Sequence, residues 1–484
     1  MKTPWSPALV AMVLMSGVHA SPALPAWARD FAPSDIDAFN DLGVNLTDVE
    51  KDLKDLKSLR QQQEELIGGG KDVASDKGTG GRTWSTAERL KSNITSAARR
   101  FMDPAAFMTT PELVAREGYP IELHKVETDD GYILEVHRIP LPGSKKPPVY
   151  LQHGILCSSS DWVIAGPEKG LAYILHRLGY DVWMGNFRGN RYSRSHRDLD
   201  NMDPDRNVRQ FWDFSFHEKG VYDVPATIDY ILQHTDHSDL LYIGHSMGTT
   251  AFFIMLSERP AYNVKVRAMS ALAPVSYMTQ VQSPLLRVAA LFSTPLGAAA
   301  NLVGIREFLP NNLLFTLAGQ VLCKEKAITQ ALCYNIMFLC TGFNSPQLNL
   351  TLLPTLLAHM PAGASVKTLI HYGQLINSKT FRRYDYGMVR NMWHYGSLRP
   401  PAYNLDNVRV PVSLHYSDND WVSGPADVHR LYDSLPNRNG RFRVKLPRFN
   451  HVDFLWGVDA PSLVYDTLTE ILESQATRAP PNRR

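Results

Sequence analysis

A serine, an aspartate and a histidine occur in this chain in an order that suits nucleophilic catalysis. Ser246 lies in a Gly-x-Ser-x-Gly pentapeptide with Gly244 and Gly248, directly after the apolar run 240–243. A serine on a sharp strand-to-helix turn holds its hydroxyl clear of the backbone, and a Cβ two residues to either side would clash as the turn closes. The pentapeptide therefore predicts a nucleophile elbow with Ser246 as the nucleophile.

The partners that such a serine needs follow further along the chain. A base must take the serine proton, and a carboxylate must hold the tautomer of that base. The order Ser, then Asp, then His expected for this elbow is met by Ser246, Asp420 and His451. Asp418 competes with Asp420 for the acid role, and Asp453, which has no strand of its own, ranks last.

Predicted strands precede both partners. Residues 410–416 are predicted as a buried strand before Asp420, and residues 443–446 as a short strand before His451. Open α/β sheets place their sites at the carboxyl ends of their strands. The three side chains are therefore expected to meet at one edge of a sheet.

Attack on an ester carbonyl creates an oxyanion that requires preorganised N–H donors. One donor is expected to be the backbone N–H of Met247, directly after the nucleophile. The second is expected in the loop after the third strand, which contains His153 and Gly154. The N–H of Leu156 is preferred there, with Ile155 as the alternative.

Composition narrows the classes of protein. The chain has 484 residues, enough for a large core and more than one structural unit. Its formal net charge is +2, so nothing favours nucleic acid as a partner. No Cys-x-x-Cys, His-Glu-x-x-His or comparable spacing occurs, and neither a metal nor a cofactor is predicted.

The N-terminus has the pattern of a secretory signal peptide. Lys2 precedes the apolar run 8–15, and cleavage is predicted after Ala20, which removes residues 1–20. The apolar run is too short to cross a bilayer, so no transmembrane anchor is expected. Export to the exterior or to lysosomes makes three Asn-x-Ser/Thr sites candidates for N-glycosylation: Asn45, Asn93 and Asn349.

The chain contains four cysteines, few for an exported protein of this length. Cys323, Cys333 and Cys340 cluster in one segment, whereas Cys157 is isolated. One disulfide and two free thiols are expected in an oxidising compartment. Cys157 lies near the oxyanion loop, but no base is placed for it, so an inert thiol is predicted.

Residues 21–108 differ from the rest of the chain. Residues 48–67 are charged with leucines at helical spacing, which predicts one amphipathic helix, and residues 71–96 are polar. We interpret 21–108 as a polar, partly helical N-terminal extension. It is either a pro-segment or a solvated extension without chemistry.

Strands and helices alternate after residue 109. In chain order the predicted elements are strands 118–126, 132–140 and 148–154, helix 166–178, strand 180–184 and helix 221–233. This alternation predicts an α/β fold whose sheet is mostly parallel and covered by helices on both faces.

The stretch between Ser246 and Asp420 is longer than strand–helix units require. Residues 276–404 are rich in Leu, Ala, Met and Phe at helical spacing, which predicts a helical cap and lid with an apolar inner face. The alternative is an ordinary second core without a role in substrate binding. The predicted division is core 109–275, cap 276–404, core 405–475 and a flexible basic tail 476–484.

Several long stretches resemble the acid lipase family of the α/β-hydrolases, which includes gastric lipase and lysosomal acid lipase. The resemblance extends over residues 112–472. The stretches that carry it are Gly118-Tyr-Pro, Asp130-Gly-Tyr-Ile-Leu134, Leu151-Gln-His-Gly-Ile-Leu156, Asp181-Val-Trp-Met-Gly-Asn-Phe-Arg-Gly-Asn190, Phe211-Trp-Asp-Phe-Ser215, Tyr222-Asp-Val-Pro-Ala-Thr-Ile-Asp229, Pro361-Ala-Gly-Ala-Ser-Val366 and Asn450-His-Val-Asp-Phe-Leu-Trp456.

The resemblance implies an α/β-hydrolase core with a helical cap and lid. It also implies hydrolysis of triacylglycerols or cholesteryl esters without metal or cofactor, often at acidic pH. It carries catalytic roles onto Ser246, Asp420 and His451. It carries oxyanion roles onto Leu156 and Met247.

A disulfide also follows from the resemblance, because two cysteines of a similar cap cluster are bridged in gastric lipase. Here this implies a bond between Cys323 and Cys333. The sequence departs from the family pattern in two places. Family members usually have Gln where this chain has Met247, and the extension 21–108 has no recognisable counterpart.

The sequence thus predicts a serine ester hydrolase that acts on neutral lipid at a lipid–water interface through an acyl-enzyme. An acyltransferase using the same residues is one alternative. A lipid-binding protein without turnover is another, but it would be expected to have lost a catalytic residue, and Ser246, Asp420 and His451 are all present.

Overall fold

The computed structural model describes residues 103–199, 207–291, 306–311, 323 and 330–478. Several predictions lie outside these residues. They are the signal peptide 1–20, the extension 21–108 up to residue 102, the glycosylation candidates Asn45 and Asn93, and residues 479–484 of the tail.

Nine of the strands in the described residues form one sheet, in the order β1-β2-β4-β3-β6-β7-β10-β11 with β5 paired to β2. Pairing is parallel from β4 through β11 and antiparallel where β2 meets β1, β4 and β5. A separate antiparallel pair is formed by β8 and β9. In chain order the strands are β1 (Glu122–Glu127), β2 (Tyr132–Ile139), β3 (Val149–Gln152), β4 (Val182–Met184), β5 (Ser195–His196), β6 (Leu240–His245), β7 (Val266–Leu272), β8 (Glu307–Phe308), β9 (Ala364–Ser365), β10 (Val412–Tyr416) and β11 (Arg438–Arg443).

The α-helices of the described residues surround this sheet or lie between β7 and β10. They are α1 (Thr110–Arg116), α2 (Leu171–Arg177), α3 (Asn207–Phe211), α4 (Phe216–Glu218), α5 (Val224–Thr235), α6 (Met247–Glu258), α7 (Pro284–Leu291), α8 (Gln330–Thr341), α9 (Leu353–His359), α10 (Val366–Ser378), α11 (Met388–Tyr395), α12 (Pro425–Asp433), α13 (Asp453–Trp456) and α14 (Asp466–Ala476). Among them none is long and apolar enough to cross a membrane.

Two apolar clusters cover the two faces of the sheet. Alternate residues of β3 show this, because Tyr150 belongs to one cluster and its neighbours Val149 and Leu151 to the other. Helices α5, α6 and α12 contribute to the first cluster, and α2 and α14 to the second. All six residues of β6 are buried, as expected of a parallel strand covered on both faces. The α/β prediction is confirmed.

Three predicted boundaries were wrong. Strand β1 begins at Glu122 rather than 118, because Gly118 adopts φ +79° as the chain leaves α1. Helix α2 begins at Leu171 rather than 166, since Gly170 is its N-cap. The strand expected at 443–446 is β11, which ends at Arg443 and carries charged side chains at the sheet edge, where apolar alternation is a weak signal.

Helices α7 to α11 occupy most of the described part of the predicted cap, residues 276–404, together with β8 and β9. In this region Cys323 and Cys333 form a disulfide with a Cα–Cα distance of 5.9 Å. Cys340 and Cys157 are free thiols. The limits of the cap as a unit stay a prediction.

One buried cation joins distant segments of the core. The Arg188 side chain is 1% exposed and donates to both carboxylate oxygens of Asp130, at 2.6 and 2.8 Å. Its Nε donates to Asp223 at 2.6 Å, and its guanidinium lies 3.9 Å from the centre of the Tyr132 ring. Arg188 therefore ties the β1–β2 turn to the segment that enters α5.

Replacing Arg188 by Met is expected to lower the free energy of unfolding by about 3–5 kcal/mol, because the carboxylates of Asp130 and Asp223 lose their buried cation. Chemical denaturation measures the change. Arg197→Met is the matched control, since the Arg197 side chain is 55% exposed in its pairs with Glu127 and Asp198. Equal, small effects of both substitutions would contradict the assigned role.

Candidate active site

The turn between β6 and α6 holds Ser246 in an unusual backbone conformation, with φ 52° and ψ −116°. Such values are sparsely populated for residues other than glycine and persist only where neighbours enforce them. The Ser246 N–H donates to the Leu272 carbonyl at 3.1 Å. A Cβ on Gly248 would lie 2.2 Å from the backbone carbonyl oxygen of Gln152, and a Cβ on Gly244 would lie 2.9 Å from the backbone carbonyl carbon of Gly248. Both glycines are therefore required by close backbone approach.

Ser246, His451 and Asp420 form one hydrogen-bonded chain. Ser246 Oγ lies 2.8 Å from His451 Nε2, and His451 Nδ1 lies 2.8 Å from Asp420 Oδ2. The other Asp420 oxygen accepts from the N–H groups of Val422 and Ser423 at 2.9 and 2.7 Å. A carboxylate can only accept, so Nδ1 carries the proton and Nε2 is the acceptor for the serine hydroxyl. This arrangement can activate Ser246 as a nucleophile.

The sheet topology brings these residues together. Strands β6, β10 and β11 belong to the parallel part of the sheet, so their carboxyl ends lie at one edge. Ser246 follows β6 directly, Asp420 lies in the turn after β10, and His451 lies in the loop after β11. The three residues are almost fully buried, at 5% exposure for Ser246, 0% for Asp420 and 6% for His451.

The two competing carboxylates have other partners. Asp418 accepts from Arg443 Nε at 2.9 Å at the protein surface. Asp453 accepts from the Asn450 N–H at 2.8 Å and from the Asn344 side chain at 2.6 Å. Of the three candidate acids, it is Asp420 that contacts the His451 ring, while Asp453 shapes the loop that carries this histidine.

The loop after β3 lies against the nucleophile. A Cβ on Gly154 would come within 3.2 Å of Ser246 Cβ. Leu156 adopts φ 60°, and its carbonyl accepts from the Ala362 N–H at 2.7 Å. Among the described residues, no group accepts a hydrogen bond from the N–H of Leu156 or of Met247. Both N–H groups therefore have no hydrogen-bond acceptor within the described structure.

His153 braces this loop, a role that sequence reasoning missed. Its Nε2 accepts from the Phe187 N–H at 3.1 Å, so its Nδ1 carries a proton and donates to the Gly154 carbonyl at 2.7 Å. Burial lowers the pKa of His153 to about 3, which keeps the ring neutral. The His-Gly pair marked the loop in the sequence, but the partner Phe187 is distant in the chain.

The end of helix α8 fixes the loops of the acid and the histidine. The Thr341 carbonyl accepts from the N–H groups of Trp421 and His451, both at 3.3 Å. The Asn450 side chain donates to the Gly342 carbonyl at 2.8 Å. A segment of the predicted cap thus contributes directly to the position of His451, which no local motif indicates.

The side chain of Met247 faces a buried lysine. Lys219 is 2% exposed, and its Nζ lies 3.8 Å from Met247 Sδ. The same ammonium lies 5.3 and 5.4 Å from the centres of the Phe187 and Phe214 rings. Burial lowers the pKa of Lys219. The thioether at this position therefore packs against a buried amine for which the described structure shows no carboxylate hydrogen bond.

The remaining candidate residues make no hydrogen bond to the triad side chains in the described structure. Asn349 is exposed, and its side chain accepts from the Thr351 N–H at 3.1 Å. Cys157 is buried with its sulfur 3.5 Å from Met360 Sδ, and burial raises the pKa of its thiol well above the usual value. The described residues contain no group of three or more His, Cys, Asp or Glu side chains able to hold a metal ion.

Known proteins match this chain along most of its length. A model of the partial alpha/beta-hydrolase lipase region matches residues 110–166, and a model of the alpha/beta hydrolase fold matches residues 147–330. Lipase 3 of Drosophila melanogaster is 42% identical over 368 residues, which cover 75% of this chain and 92% of the relative. Lipase member K of Homo sapiens is 37% identical, with coverage of 77% and 92%. Gastric triacylglycerol lipase of Bos taurus is 36% identical, with coverage of 76% and 92%.

The chain belongs to the acid lipase family of the α/β-hydrolases. It is therefore a carboxylic ester hydrolase, and both the family resemblance and the fold expected from the sequence are confirmed.

Exchange of the acid in this lipase tests the choice among carboxylates. Asp420→Asn is expected to lower kcat about ten-thousand-fold, because an amide no longer holds the His451 tautomer that can accept the serine proton. Asp418→Asn is the matched control, since Asp418 pairs with Arg443 at the surface, and its kcat should stay within about twofold of the wild type. Hydrolysis of a soluble ester measures both, and the reverse ranking would exclude Asp420.

A buried histidine on strand β10 gives this lipase a defined pH dependence of stability. His415 on β10 stacks on Phe442 with ring centres 5.0 Å apart, and burial lowers its pKa to about 3. The unfolded chain takes up a proton there below its ordinary pKa of about 6.5, whereas the folded chain does not. This group therefore costs the folded state stability as the pH falls from about 6.5 toward 3.

Replacement of His415 by Leu should remove that cost. Between pH 7 and about pH 4.5, the wild type is expected to lose about 2–3 kcal/mol more unfolding free energy than His415→Leu. Denaturant titrations across this pH range provide the measurement. Parallel curves for the two proteins would show that His415 does not resist protonation in the folded state.

Proposed function

We propose that this lipase hydrolyses neutral lipid esters, triacylglycerols or cholesteryl esters, through an acyl-enzyme formed on Ser246. The observation that carries the proposal is the hydrogen-bonded chain from Ser246 Oγ through His451 to Asp420, with both distances at 2.8 Å. Each member of such a triad has a separate role, since the serine attacks, the imidazole moves the proton and the carboxylate orients the imidazole.

In the first half-reaction, Ser246 Oγ attacks the ester carbonyl while His451 Nε2 takes the hydroxyl proton. The carbonyl oxygen becomes an oxyanion, which the N–H groups of Leu156 and Met247 are proposed to bind. Asp420 stabilises the imidazolium through its hydrogen bond to Nδ1. Collapse of the intermediate breaks the ester C–O bond, and His451 returns the proton to the leaving alcohol.

In the second half-reaction, water attacks the acyl-enzyme carbonyl, with His451 again as the base. The same N–H groups hold the oxyanion, and collapse releases a fatty acid and restores the Ser246 hydroxyl. A site with Ser246 and His451 near 5% exposure excludes bulk water, which strengthens each of these electrostatic contacts.

Two observations support a lipid ester as the substrate. The reacting groups are buried beneath residues of the predicted cap, and Thr341 and Ala362 from that segment contact the His451 loop and Leu156. Among the relatives, the one from Bos taurus is named gastric triacylglycerol lipase, at 36% identity.

We also propose that the protein passes through the secretory pathway, with secretion and lysosomal delivery as its two destinations. The signal-peptide pattern at residues 1–20 supports export. The disulfide between Cys323 and Cys333 suits an oxidising compartment. The exposed side chain of Asn349 leaves this glycosylation candidate accessible.

Replacement of Ser246 by Ala is expected to reduce hydrolysis of a long-chain ester emulsion by about a millionfold, because no nucleophile remains to form the acyl-enzyme. Fatty-acid release into the emulsion is titrated, with triacylglycerol and cholesteryl ester supplied in separate assays. The wild type and Ser246→Ala are each treated with an alkyl phosphonate, and any modified peptide is identified by mass spectrometry; only the wild type should be labelled.

Ser462→Ala is the matched control, since Ser462 is exposed and its hydroxyl donates to the Asp459 carbonyl at 3.2 Å, outside the triad. It should hydrolyse the emulsion and take up phosphonate on Ser246 like the wild type. Undiminished fatty-acid release by Ser246→Ala, or phosphonate on a different residue, would overturn the mechanism. Turnover of short soluble esters alone would restrict the proposal to an esterase.

A further inference from the structure

Exposed apolar side chains are concentrated in one short segment of the described structure. Of nine large apolar side chains that are exposed there, five fall within residues 388–398. They are Met388 at 70%, Val389 at 74%, Met392 at 47%, Trp393 at 87% and Leu398 at 54%. A contiguous exposed set of this kind marks an interaction surface, whereas single exposed apolar residues do not.

The helix that presents these side chains is fixed to the protein by its opposite face. Asn391 is 1% exposed, and its amide donates to Asp385 at 2.8 Å and to the Leu398 carbonyl at 3.0 Å. The Asn391 oxygen accepts from the Tyr386 N–H at 2.9 Å. The Tyr386 ring in turn stacks on His394 with centres 4.1 Å apart. Helix α11 is thus a fixed element with one bound face and one free apolar face.

The charged side chains within the segment that carries the apolar face are arginines. Arg390 and Arg399 are exposed, and in the described structure neither has a carboxylate partner. Residues 386–403 contain no Asp or Glu, while the carboxylate that precedes them in the sequence, Asp385, is already paired with Arg382 at 3.0 Å. The surface therefore combines a tryptophan, aliphatic and thioether side chains, and two free guanidinium groups.

We propose that helix α11 together with Leu398 docks the enzyme onto a phospholipid-covered lipid surface that carries anionic headgroups. A helix with an apolar face, a largely exposed tryptophan and arginines beside it has the chemistry of an interfacial helix that lies in the headgroup region. The unpaired arginines complement phosphate groups and suit no apolar protein groove. The inference rests on the proposed function, because hydrolysis of lipid esters brings the enzyme to such a surface.

A flotation experiment with the purified protein tests this docking surface. The vesicles contain either phosphatidylcholine alone or equimolar phosphatidylcholine and phosphatidylglycerol. The double variant Val389→Ser with Trp393→Ser is expected to partition at least about tenfold more weakly onto the mixed vesicles, because two apolar side chains no longer enter the lipid. Arg390→Gln with Arg399→Gln should lose roughly tenfold on the mixed vesicles and much less on phosphatidylcholine.

Leu123→Ser is the matched control, because Leu123 is also an exposed apolar residue, at 57%, but belongs to strand β1. This variant should partition onto the vesicles like the wild type. Each protein is also assayed on a soluble short-chain ester, which reports on the active site without a lipid surface. The wild type, the two double variants and Leu123→Ser should hydrolyse this soluble ester at equal rates. On an emulsion, the Val389→Ser with Trp393→Ser variant should be slower than the wild type.

Several results would overturn the docking proposal. Unchanged flotation of the Val389→Ser with Trp393→Ser variant is one, and a loss of the same size in Leu123→Ser is another. A lipid-free dimer that this double variant dissociates would assign the surface to a second copy of the chain. Flotation is also measured with Ser246→Ala, so that failure of the catalytic proposal and failure of docking are recorded separately.

Discussion

The close approach of the Gly248 backbone to the Gln152 carbonyl is the constraint on which the site depends. A single Cβ at Gly248 would lie 2.2 Å from that oxygen, so α6 can begin where it does only with glycine there. This contact places the end of β3 against the start of α6. The backbone alone thereby brings together Ser246, its neighbour Met247 and the loop that reaches Leu156. The hydrogen bonds between the triad side chains are not needed for this placement.

The parts of the site that the sequence predicts are those with a local signal. Ser246 has its pentapeptide, and Asp420 and His451 follow predicted strands in the expected order. The contacts of Thr341 with Trp421 and His451 have no such signal, because they join segments far apart in the chain through a backbone carbonyl. A carbonyl has no residue type, so pattern alone cannot identify it.

Helix α11 shows a second limit of sequence reasoning. Met388, Met392 and their neighbours have the spacing of an ordinary cap helix, whose apolar side faces the core. The structure turns that side outward, because the buried amide of Asn391 binds Asp385 and the Leu398 carbonyl on the opposite side. A polar side chain with three hydrogen-bond partners outweighs several apolar ones here, since leaving its amide buried and unpaired would cost more than exposing the apolar side chains.

Burial of histidines links the site to acidic conditions. His153 can hold the loop after β3 only while its Nε2 accepts from the Phe187 N–H, and a protonated ring could not accept. Burial lowers the pKa of His153 to about 3 and that of His245 well below its usual value, so both rings stay neutral where exposed imidazoles would be charged. His245 Nε2 donates to the His451 carbonyl at 2.9 Å, a hydrogen bond that the ring can make in either charge state. The buried histidines around the site thus stay neutral in acid. Because the unfolded chain takes up protons at these histidines and the folded chain does not, the free energy of unfolding falls at low pH.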